Sequence, residues 1–201
     1  MSTFLDIIFA SILGGFITFI TINTNYVFRQ TWATYNQELL VNQMLITNAQ
    51  IVESEFRNMG AGIDTSTNTV EIARDTAIQF WTSLSPLPNS TMSKIQYYLG
   101  GASETSSMDN PNIRFLYRQQ DAAAAQRVGL VSHFSIAYYT GDGDSLATPM
   151  IGKTQCMDIR IVEITMEVQS PYAAFIDDKG QKQFSVALWK QTRLASQNLK
   201  R

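Results

Sequence analysis

No proline occurs before Pro86, and no glycine falls between Gly15 and Gly60. Over the first 59 residues the strongest helix breakers are therefore confined to Gly14 and Gly15. Such a stretch predicts one very long helix, and its surface changes along its length. Phe4 to Ile22 is apolar apart from Asp6 and a few Ser, Thr and Gly. Nineteen residues at 1.5 Å each span about 28 Å, close to the ~30 Å hydrocarbon core of a bilayer. A cleaved secretory signal fits less well. No Lys or Arg precedes the apolar run, the first being Arg29, and Asn23-Thr24-Asn25-Tyr26 is not an Ala-x-Ala-like cleavage site. The missing basic flank leaves the orientation unassigned.

Beyond Ile22 the pattern becomes amphipathic. Apolar residues recur at Phe28, Trp32, Tyr35, Leu39, Ile46, Ala49, Val52 and Phe56, mostly at gaps of three or four. This predicts a helix-packing face, with Leu39 to Met59 lying on the chain's own domain. Asn23 to Tyr35 projects, so its aromatics need lipid or other subunits. Gly60 and Gly62 supply the stop signal.

Residues 60–201, about 140 of the chain's 201, suffice for a compact core. From Thr69 the chain alternates and favours β-branched and aromatic residues. Strands are predicted at Thr69–Ala73, Ala77–Thr82, Lys94–Leu99, Asn112–Arg118, Val128–Tyr139, Met157–Gln169 and Gln183–Lys190. Turn formers separate them at Ser85 to Asn89, Gly100 to Asn112, Gly141 to Asp144 and Asp177 to Gly180. In the Met157–Gln169 run the apolar phase slips, which predicts a bulge or two-sided burial near Val162. The expected fold class is α+β: a long N-terminal helix (1–59) packed on a mainly antiparallel sheet in a second unit (60–201).

Composition narrows the function. Charged residues are 16% of the chain and net charge is −2 without basic blocks, so the footprint of a nucleic-acid binder is missing. Cys156 is the only cysteine, which excludes an intrachain disulfide and a cysteine-based metal site; it reads as a structural thiol beside a strand. His133 is the only histidine and sits on the face of a strand opposite Phe134 and Ile136. Asp142 and Asp144 are two carboxylates in Gly-Asp-Gly-Asp, too few for a calcium site by themselves and better suited to a hairpin turn. Asp177-Asp178 reads the same way. Asn89-Ser90-Thr91 matches a glycosylation sequon. No nucleophile, phosphate-loop, metal or dinucleotide motif is present, so neither an enzyme nor a cofactor is expected.

Two features of the apolar run have alternative readings. Asp6 either interacts with the helix N-terminal dipole or forms a charge pair with the α-amino group of a neighbouring subunit. Gly14-Gly15 either allows close helix approach and a bend, or is a weak spot without a role.

This layout resembles the type IV pilins and type II secretion pseudopilins. Ser2-Thr3-Phe4-Leu5-Asp6-Ile7-Ile8 is similar to that family's start, with Asp6 at the fifth mature position if Ser2 is the terminus and Asp in place of the usual Glu. Glu55-Phe56-Arg57-Asn58-Met59-Gly60 looks like the helix end of larger minor members, and Asn110 to Arg118 (Asn-Pro-Asn-Ile-Arg-Phe-Leu-Tyr-Arg) resembles their later strand. The family is made with a short basic leader, which this sequence does not show, and often carries a proline near mature position 22, where this chain has Ile22-Asn23. The resemblance implies a homo-oligomeric helical filament. Ser2, Phe4, Asp6, Ile7, Ile8, Gly14, Gly15, Phe16 and Phe19 would then be the assembly residues. It also implies pilus or secretion machinery as partners, and an inner-membrane stage before the cell surface. The alternatives are a minor pilin or secretion pseudopilin that primes or tips a filament, and a membrane-anchored binding domain. Exposed loops at Ser85 to Met92 and Gly100 to Asn110 would decorate the surface.

Overall fold

A computed structural model describes residues 2–63, 68–83, 92–152, 154–177 and 179–194, with side chains from Thr3 to Lys190 within those ranges. The side chain of Ser2, the loop from Ser85 to Thr91 with its Asn89-Ser90-Thr91 sequon, and Asp178 lie outside the described residues.

One helix, α1, runs unbroken from Ser2–Arg57. At 1.5 Å per residue its 56 residues extend about 84 Å. It ends where the sequence predicts. Gly60 and Gly62 take φ of 78° and 76°, a region that disfavours any residue with a Cβ. The turn is stitched to the domain: Gly60 N–H donates to the Trp81 carbonyl and Ser83 N–H to the Ala61 carbonyl, both at 2.9 Å.

The strands are β1 (Val70–Arg74), β2 (Ala77–Ser83), β3 (Met92–Leu99), β4 (Arg114–Gln120), β5 (Gln126–Val131), β6 (His133–Tyr139), β7 (Ser145–Leu146), β8 (Met150–Ile151), β9 (Ile161–Gln169), β10 (Phe175–Ile176), β11 (Lys182–Gln183) and β12 (Val186–Leu194). They form a six-stranded sheet in the order β5-β4-β3-β2-β1-β8, a four-stranded sheet β12-β9-β6-β7, and a β10-β11 ribbon. Every pairing is antiparallel. The α+β architecture is thus present.

Three predicted strands differ by more than one or two end residues. Val128–Tyr139 is two strands in two sheets, broken at Ser132, whose N–H donates to the Glu167 carbonyl at 2.8 Å. The run from Met157 begins only at Ile161, because Thr154 to Asp158 turns instead; Cys156 is buried in that turn, with its thiol beside the β8 strand, 3.8 Å from the Met150 carbonyl. Lys182–Gln183 pairs with β10, and the final strand starts afresh at Val186. The slip expected near Val162 is absent from β9, whose residues alternate in burial along its whole length. The β6–β9 register is regular, while β12 is irregular between Gln191 and Leu194, opposite Ile164 and Val162.

The core lies between the sheets and the C-terminal half of α1. Phe56 is fully buried, edge-on to Phe80 at 5.2 Å and tilted on Tyr97 at 5.5 Å between ring centroids. Polar ties complete the joint. The Glu55 carboxylate accepts from Tyr97 Oη at 2.5 Å and from Arg118 Nε at 2.7 Å. Asn48 Nδ2 donates to the Leu130 carbonyl at 3.2 Å. Gly129 makes that approach possible, since a Cβ there would sit 2.2 Å from Asn48 Oδ1.

Candidate functional site

The helix that leaves this domain is the site. Every described side chain from Thr3 to Arg29 is exposed, and partial cover begins only at Gln30, Ala33 and Thr34. Phe4, Ile7, Phe16 and Phe19 remain more than 60% exposed. Successive residues turn by 100°, so these four fall on one half of the circumference, and Leu13, Ile17 and Ile20, equally exposed, extend the apolar surface round the other half. A helix that is apolar all round must be buried, in protein or in lipid. Among the described residues nothing covers it. The helix is long and apolar enough to cross a membrane, so membrane anchoring is open to it.

Its remaining polarity is largely self-satisfied. Ser11, Thr18 and Thr21 each donate to the carbonyl four residues back at 2.8 Å, so their hydroxyls need no water. Within Phe4 to Ile22, Asp6 is the exception. It has no hydrogen-bond or ion-pair partner among the described residues. No acid lies in the first turn of α1, which places Asp6 beyond the reach of most dipole stabilisation. At Gly14 and Gly15 an added Cβ would meet nothing. Gly15 opens a shallow notch between Ile12, Phe16 and Phe19, and the space beside it is free for a neighbouring helix.

The amphipathic half carries two apolar stripes, not one. Val41, Leu45, Asn48, Ala49, Val52, Phe56 and Met59 are buried against the sheets. Phe28, Trp32, Tyr35, Leu39 and Ile46 are each more than half exposed. Phe28 and Trp32 stack on each other at 6.3 Å. The two stripes lie roughly 130° apart around the helix. Val52 and Phe56 therefore pack as expected, whereas Leu39 and Ile46, expected on the same face, point away from the domain. The spacing does show the second stripe, since 41, 45, 48, 52, 56 and 59 recur at gaps of three and four, but it does not show which stripe the domain covers.

The other candidates lie elsewhere. Asp142 and Asp144 are exposed in the β6–β7 hairpin turn, where Thr140 N–H donates to the Asp144 carbonyl at 2.9 Å. His133 is exposed on β6. Among the described residues no group of three His, Cys, Asp or Glu side chains could hold a metal ion. Burial, with the nearby Glu71 charge adding to it, pushes the Cys156 thiol upward, which keeps it protonated. The loop Gly100 to Asn110 is only partly free, because Thr105 and Asn110 are buried. Asn110 Nδ2 donates to Gln169 Oε1 at 2.8 Å. The first residue of the Asn110–Arg118 string thus fixes a loop to a strand end, and its last binds Glu55.

No protein-family model matches the chain, and no curated protein or solved structure matches it either.

Proposed function

We propose that this chain is a structural subunit of a type IV pilus-like extracellular filament, polymerising through the N-terminal half of α1. The observation that carries this reading is the reach of the uncovered apolar surface. Phe4 to Ile22 would fill a bilayer, yet the exposed stripe continues to Ile46, about 36 Å further along the axis. Lipid covers the first part of that surface and leaves the second in water. Neighbouring copies of the helix cover both. A membrane-anchored binding domain accounts for residues 4–22 alone.

Before assembly the subunit is held in the inner membrane with its sheets outside. It leaves the bilayer as Phe4 to Ile22 exchange lipid for the same segment of neighbours. The two environments are similarly apolar, so the transfer avoids hydrating that surface. Asp6 pairs with a neighbour's terminal amine. In an apolar bundle an unpaired carboxylate is strongly unfavourable, so only the register that pairs it is stable.

The test is electron microscopy of material sheared from cells, with mass spectrometry of its dominant protein. Filaments built mainly of this chain are expected. Filaments in which it is a trace component assign it instead to a minor pilin or secretion pseudopilin. A chain found only in membranes makes it an anchored binding domain and overturns the filament reading.

A further inference from the structure

The outward face of the six-stranded sheet does not resemble a merely solvated surface. The strand registers place three glutamines side by side, Gln79 on β2, Gln96 on β3 and Gln119 on β4. At about 4.8 Å between strands they form a straight row of amides. Aromatic rings flank this row on both sides. Trp81 stands two residues to one side on β2, and Tyr98 and Tyr117 pair across strands two residues to the other. The walls are about 14 Å apart along the strands, with the amides midway.

The walls are held in place before any ligand arrives. Tyr98 and Tyr117 stack at 5.5 Å with planes 18° apart. Tyr117 Oη donates to Glu104, which also accepts from Gly101 N–H at 2.9 Å. A Cβ on Gly100 would lie 2.7 Å from the Tyr117 ring, so glycine is what lets the loop close on it. Trp81 Nε1 donates to Glu71 at 2.9 Å. Ala77, opposite Tyr98 on β2, offers only a methyl group beside that ring. The amides, by contrast, have unused capacity. Gln96 makes no side-chain hydrogen bond among the described residues, while Gln79 and Gln119 each commit only their Nε2, to Glu71 and to the Ala123 carbonyl.

The charges on this face cancel internally. Lys94 pairs with Glu71 at 2.9 Å and lies over the Trp81 ring. Arg127 covers Phe115 and donates to Tyr117 Oη, whose own proton goes to Glu104. Asp121 accepts from Lys94 N–H at 2.7 Å at the rim, so the face has no positive excess. Aromatic walls and amides with spare capacity suit a partner without negative charge, with hydroxyls to bond and apolar faces to stack. We propose that this face is a binding platform for an uncharged oligosaccharide. The amides of Gln79, Gln96 and Gln119 bond its hydroxyls, the Tyr98 face beside Ala77 packs its C–H surface, and Trp81, with Lys94 over its ring, walls the other end. A nucleic acid would need a basic surface, which this is not. The site stands on the folded sheet alone and is independent of whether the chain polymerises.

The experiment uses the full chain in a detergent without sugar head groups. It is titrated with neutral gluco-, xylo- and chito-oligosaccharides, with a uronic-acid oligosaccharide and single-stranded DNA for comparison. At least one neutral series is expected to bind. Gln96→Ala should weaken that binding tenfold or more with an unchanged melting curve, and Tyr98→Ala should do the same. No binding of any neutral series overturns the proposal. So does stronger binding of the charged probes, or binding that Gln96→Ala leaves intact.

Discussion

The two halves of α1 share one continuous helical backbone, but they are stable for different reasons. Between Val41 and Met59 each apolar turn meets a sheet. Between Thr3 and Arg29 none does. The first half satisfies its backbone internally and needs only a non-aqueous surround. The second needs particular neighbours, supplied by Phe80, Tyr97, Leu130 and Arg118. One helix therefore joins a segment that, Asp6 apart, is indifferent to which apolar surface covers it to a segment fixed on one domain. Such a division lets a subunit change its surroundings without unfolding.

The largest expected effect falls on the indifferent half and leaves the fold untouched. Asp6→Ala should abolish recovery of the chain in sheared material while its melting curve is unchanged. Incorporation at the normal level would remove the register role. The mirror experiment is Phe56→Ala, which empties the joint between helix and sheets. It should cost about 3–5 kcal/mol in denaturant unfolding. Phe28→Ala, of identical chemistry on the uncovered half, should stay within ~0.5 kcal/mol. Equal losses at the two positions would erase the distinction between the halves.

Arg118→Met tests the polar part of the joint. The Arg118 and Glu55 side chains are 16% and 19% exposed, so removing one strands the other. A loss of about 3 kcal/mol is expected, partly recovered by Glu55→Gln in the double variant. Smallest is a pH effect at Glu71. Burial alone would raise its carboxyl, but Lys94, Trp81 and Gln79 outweigh burial and hold it below its ordinary 4.5. Its ionised form therefore adds stability that is complete above that value and lost as the pH falls through the lowered one. Glu71→Gln should flatten the acid limb of stability by under about 1 kcal/mol.

Much of this is legible in sequence because it is local. The helix end at Gly60 depends on glycine in the left-handed region, and the β6–β7 hairpin on its Gly-Asp-Gly-Asp turn. His133 lies on the polar side of a strand by simple alternation. What stays hidden is non-local. Periodicity reports that apolar residues share a face, but two stripes of equal spacing give no sign of which one the domain covers. It therefore puts Leu39 and Ile46 on the wrong side and passes over Val41 and Leu45. The break at Ser132 is invisible in a continuous β-prone run, since it arises from a bond to Glu167 on β9. The row of glutamines emerges only once the registers of three strands are known.

The most direct measurement concerns Ile46, which is exposed and lies beyond the span of a bilayer. In an Ile46→Cys variant the single native thiol, Cys156, is buried and gives little background. Maleimide should label the introduced thiol readily in the membrane fraction and poorly in sheared extracellular material, where neighbouring copies cover it. Equal labelling in both fractions would contradict the account, as would a chain that never leaves the membrane.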